Sequence, residues 1–147
     1  MNTPIKETDI RRLFKFLDQN SGFDFLSANL INSKTIDRLN WKGFTKNKDR
    51  LISLLKIYQR LLRILPAGNR ALLESLIAAG LHSAIQIASM PKSKFVQEYG
   101  ELFGNDHELI ENTYQKAVAI RSQLLLKHIS KIQIAEPHTS ESRLKLN

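Results

Sequence analysis

The four histidines, His82, His107, His128 and His138, are the residues of this 147-residue chain best suited to move protons near neutral pH. They are scattered, and no two share the i, i+4 spacing that lets one helix face hold a metal in an HExxH-type site. His107 is followed by Glu108 and Glu111. All three fall in the first turns of an expected helix, where acids are favoured by the helix dipole without any catalytic role. The chain has no cysteine, which removes thiolate zinc ligands and disulfides. Neither a GxSxG elbow, a Walker-type loop nor a GxGxxG turn occurs. The residues therefore nominate no catalytic or metal site, and neither an enzyme nor a cofactor is expected.

The cations are more informative. Lys42, Lys46, Lys48, Arg50, Lys56, Arg60 and Arg63 stand against Asp49 alone in that stretch. The whole net charge of +8 is carried by residues 1–70, with 14 Lys/Arg to 6 Asp/Glu, while residues 71–147 hold 8 of each. Clustered cations of this kind suit an anionic partner, whether nucleic acid, acidic protein or anionic lipid. Trp41 and Phe44 are placed in sequence to stack on bases. The plainer reading is that the helix needs a wet face and that Trp41 is a core plug. Lys46, Lys48, Arg50, Lys56, Arg60 and Arg63 are the candidate contact residues under either reading of the partner.

The stretch LIAAGLHSAIQIASMPKSKF, residues 76–95, reads as helix, glycine, short helix, proline, helix. A helix-hairpin-helix that grips phosphate uses a second glycine in its turn, so that backbone N–H groups approach the anion. Here His82 stands at that place and no lysine follows. The hairpin is expected to be a structural corner marked by Gly80, Ser83 and Pro91.

These residues need elements to position them. Residues 8–19, TDIRRLFKFLDQ, carry Ile10, Leu13, Phe14 and Leu17 at helical spacing, with Thr8 or Asp9 as cap. Residues 22–44 lack a clean period, and one short helix over 34–39, capped by Ser33, is expected within them. The strongest helix covers 47–65 before Pro66, with Leu51, Leu55, Tyr58, Leu62 and Leu65 inward and Lys56, Arg60 and Arg63 on another side. Helices over 70–79, 83–89 and 91–103 follow. A last long helix runs to about residue 132, with Asn105 as cap and Glu108 three residues on. Its apolar stripe is Ile110, Tyr114, Ala117, Val118, Leu125 and Ile129, with the stem of Arg121. No apolar–polar alternation lasts a strand's length. The expected fold is all-α, with about six or seven helices in one compact domain over 1–134 and a flexible tail over 135–147.

No segment is apolar over a membrane-spanning length, and the charged first residues make no secretory signal of the usual kind. Synthesis in the cytosol is expected, with any export by another route.

Two stretches, GFDF…NW…KDRLISLLKIYQRLLRI and LIAAGLHSAIQIASMPKSKFVQEYGELF…IENTYQKAVAIRSQ, also carry a resemblance. The chain resembles the helical N-terminal region of the A component of bacterial toxin complexes and the related Salmonella virulence-plasmid A proteins. Gly80, Ser83, Ala84, Ile87, Phe95, Tyr114 and Ala117 match the AG-x-x-SA-x-x-I corner and the two helices after it. The resemblance implies a non-enzymatic helical scaffold that makes protein contacts or self-associates, as an adaptor or a component of a toxin or secretion particle. The chain is far too short for a translocation channel or receptor-binding domains, so pore formation is not implied.

Overall fold

The computed structural model describes residues 4–65 and 69–135. Among them lie seven α-helices and no strand: α1 Glu7–Gln19, α2 Ser33–Asp37, α3 Lys48–Leu62, α4 Arg70–Ala78, α5 Ala84–Ala88, α6 Lys92–Tyr99 and α7 His107–Ala135. Short 3-10 turns at Thr45–Asn47 and Gly100–Phe103 precede α3 and follow α6. The chain is all-α, as its periodicity predicts. Pro66 and His138 fall outside the described residues, as does the expected tail except for Ala135, which ends α7.

One core joins the helices. α1, α3 and α4 pack on each other, α5 packs along α7, and the 100–103 turn touches both α4 and α7. Leu13, Phe16 and Leu17 from α1 meet Leu51, Leu54, Leu55 and Leu61 from α3 in this core. Phe16 is fully buried, with the Trp41 ring 4.5 Å away and Phe44 at 5.3 Å. A second aromatic group surrounds Phe95, whose ring lies 5.7–5.9 Å from Tyr99, Phe103 and Tyr114.

The aperiodic 22–44 segment is held by side-chain amides from elsewhere. Gln59 Nε2 donates to the carbonyls of Phe25 at 2.8 Å and Ala28 at 2.6 Å. Gln19 Nε2 donates to the Asn40 and Lys42 carbonyls at 2.9 Å, and Asn20 Oδ1 accepts from the Asn40 N–H at 2.7 Å. Backbone groups that form no ladder are satisfied this way, so the segment can order without a period of its own.

Three caps differ from expectation by one or a few positions. Lys6 takes the α1 cap position, and Asp9 sits three residues in, accepting the Lys6 N–H at 3.0 Å. Asn32, not Ser33, caps α2 by accepting from Lys34. Asp106, not Asn105, accepts from Leu109 at the start of α7, while Asn105 takes a left-handed φ of 56°. At α2 and α7 the two candidates are adjacent short acceptors, either of which suits a cap, whereas at α1 Asp9 reaches back from inside the helix. The expected 91–103 helix also breaks, tightening to a 3-10 turn from Gly100.

Candidate partner-binding groove

Lys56, Arg60 and Arg63 recur at spacings of 4 and 3 on α3 and its end, so they share one stripe. Arg60 and Arg63 are exposed and have no carboxylate partner among the described residues. They form one wall of a groove of about 460 Å³. Ser83, Ala84 and Ile85 line it from the start of α5, and Ile120 and Leu124 line it from α7. The lining is therefore aliphatic on the α5 and α7 sides and cationic on the α3 side.

The remaining candidate cations separate from this set. Arg50 is half-buried and tied down, donating to Asp9 Oδ2 at 3.0 Å and to the Pro4 carbonyl at 2.9 Å. Lys48 pairs with Asp37 at 3.5 Å and lies 5.3 Å from the Trp41 ring centre. Lys46 is exposed on the turn before α3. Of the six candidates, Arg60 and Arg63 line the groove, while Arg50 and Lys48 are engaged by acids of the chain itself. Trp41 is held as well, its Nε1 donating to the Ile36 carbonyl at 2.8 Å. A second concavity of about 370 Å³ gathers Arg11, Arg12 and Lys15 beside Phe44. Two of those three already meet acids, Arg11 with Glu7 at 2.9 Å and Arg12 with Asp9 at 3.6 Å.

α7 supplies what the sequence reading missed. Its inner face is buried at Ile110, Thr113 and Ala117, and half-buried at Val118 and Ile120. From Arg121 to Ile132 every residue is exposed, because α5 is only five residues long and nothing covers α7 beyond it among the described residues. Leu124 is 44% exposed, Leu125 49%, Leu126 66%, Ile129 50% and Ile132 48%. Leu125 and Ile129, expected inside, therefore lie on the surface. The run Leu124-Leu125-Leu126 was the available signal, since three consecutive residues sweep about 200° around a helix and cannot all face one core.

The 76–95 stretch forms a closed corner. Gly80 has φ +88°, and the Leu81 N–H reaches the Leu76 carbonyl at 3.0 Å while Gly80 reaches Ile77 at 3.1 Å. This is a Schellman ending, which needs a residue tolerant of the left-handed region. Gln86 then closes the turn, its Oε1 accepting the His82 N–H and its Nε2 donating to the Gly80 carbonyl, both at 2.8 Å. Ser83 Oγ accepts the Gln86 N–H at 3.2 Å. The His82 and Gln86 amides are thus already occupied and not turned outward for a phosphate.

His82 is half-buried, and its Nε2 meets no hydrogen-bond partner among the described residues. Burial, and next the charge of Arg60, hold its pKa below the ordinary 6.5. The folded protein then resists a proton that the unfolded chain accepts near pH 6.5, so stability falls as pH drops below that value. Thermal melts from pH 7.5 to 5 are expected to show that decline. His82→Gln should lessen its slope, and an unchanged slope would mean that the imidazole is solvated. Among the described residues no group of three His, Asp or Glu gathers as a metal site. Nor is any described helix long and apolar enough to cross a membrane.

Comparison with known protein families, curated proteins and solved structures finds no match to this chain.

Proposed function

We propose that the chain is a non-enzymatic helical interaction module, a scaffold or adaptor that docks a protein partner. The observation that carries this reading is α7, which runs past the body and presents Leu124, Leu125, Leu126, Ile129 and Ile132 to solvent. Exposed apolar residues contiguous along about two and a half turns of helix mark an interaction site more often than a monomer surface. The groove beside them offers no nucleophile with a base. Its one hydroxyl, on Ser83, is engaged as the α5 cap. The resemblance of Gly80, Ser83, Ala84, Ile87, Phe95, Tyr114 and Ala117 to toxin-complex A components supports a role as an adaptor or component of a toxin or secretion particle.

The test pairs capture with substitution. The wild-type chain should hold one protein from its source, and Leu125→Asp with Ile129→Asp should lose it at an unchanged melting temperature, since both side chains are half-exposed. A strictly monomeric chain that captures nothing would sink the reading. So would tight binding to DNA or RNA that falls steeply with salt and is lost in Lys56→Glu with Arg60→Glu, which would make the protein a nucleic-acid binder.

A further inference from the structure

We propose that the groove between α3, α5 and α7 receives an acidic amphipathic helix of the protein partner. The proposal deepens the interaction reading and rests on it. Three features of the groove match such a ligand. The floor of Ile85, Ile120 and Leu124 is aliphatic and half open to solvent, which suits leucine-like side chains. Arg60 and Arg63 stand at one edge without a carboxylate among the described residues. The third feature is the course of α7 itself. Ile120, Leu124, Lys127 and Lys131 recur at spacings of 4, 3 and 4, so the stripe that begins in the groove ends in two lysines.

No Asp or Glu occurs between Glu111 and Glu136. The surface therefore has apolar positions flanked by cations, and its complement is an apolar stripe flanked by acids. Its reach also fits: from Ile120 to Lys131 α7 rises about 17 Å, roughly three turns. That is the length over which helix-in-groove ligands place their i, i+3, i+4 and i+7 anchors.

The same features argue against other occupants. A second copy would bring the same cations to the same rim, on a chain of net charge +8. Single-stranded nucleic acid binds on aromatic platforms, and this floor has none. A flat bilayer reaches the outer ridge of α7 but not a concave floor walled by α3 and α5.

The probe is a labelled peptide of about 18 residues, with leucines on one helical stripe and glutamates on both flanks. It is titrated with the full chain by anisotropy, beside a scrambled peptide, a lysine-for-glutamate peptide, labelled DNA and RNA, and anionic vesicles. The acidic peptide is expected to bind in preference to every other probe. Arg60→Glu with Arg63→Glu, and separately Leu124→Asp, should weaken it by about ten-fold or more at unchanged melting temperature. The arginine-reversed protein should gain affinity for the lysine peptide, which a merely damaged fold would not show. Failure to bind the acidic peptide, equal binding of the scrambled one, or indifference to the arginine reversal overturns the proposal. If the natural partner is still captured through Leu125 and Ile129 in that case, the interaction reading stands and only the chemistry assigned to the groove falls.

Discussion

Phe95→Ala is expected to cost roughly 3–5 kcal/mol of stability, the range for deleting a buried aromatic ring and leaving a cavity. Phe95 is fully buried on α6 and is the ring that Tyr99, Phe103 and Tyr114 all surround at 5.7–5.9 Å. It joins α6, the 100–103 turn and α7, so its removal loosens the anchorage of α7 where that helix is still covered. Tyr114 adds a polar tie, donating to the Met90 carbonyl at 2.8 Å. Against a total of about 5–15 kcal/mol for a domain, the loss is a large fraction. Urea unfolding should show a lower midpoint at the same slope. A change under about 1 kcal/mol would mean that the site collapses around the gap.

Asp9→Ala should cost about 2–3 kcal/mol, because it leaves the half-buried Arg50 guanidinium without its carboxylate. Asp9 is buried beside three donors: the Arg50 guanidinium at 3.0 Å, the Lys6 N–H at 3.0 Å and Arg12 at 3.6 Å. Burial by itself pushes the carboxyl pKa up. The hydrogen bonds from Arg50 and Lys6, with the charges of Arg50 and Arg12, outweigh burial and hold it below the ordinary 3.8. The contribution is complete above that value and is lost as pH falls below it, since the unfolded carboxyl takes up a proton first. Asp9→Asn should therefore flatten part of the acid limb of the stability profile. An acid limb identical to wild type would show that the pair is solvated.

The helices were legible in the sequence wherever a stripe repeats over several turns, as in α1, α3 and α4. The 22–44 segment was not, because what orders it comes from Gln19, Asn20 and Gln59, each about 20 to 35 residues away in the chain. The cations were visible as composition, but their roles were not. Only the fold brings Arg50 to Asp9, 41 positions earlier, and leaves Arg60 and Arg63 without such a partner. Periodicity likewise marked Leu125 and Ile129 as apolar positions without revealing that their cover stops near residue 120. A helical stripe records which residues share a face, and the lengths of the neighbouring helices decide whether that face is buried.

Amide hydrogen exchange along α7, in the dilute free chain and with the acidic peptide bound, tests the central claim most directly. Slow exchange is expected over residues 107–120 and fast exchange over 121–132 in the free chain, with protection extending into 121–132 in the complex. Slow exchange over 121–132 already in the free chain would mean that this face is covered without a partner, and would contradict a docking role for α7.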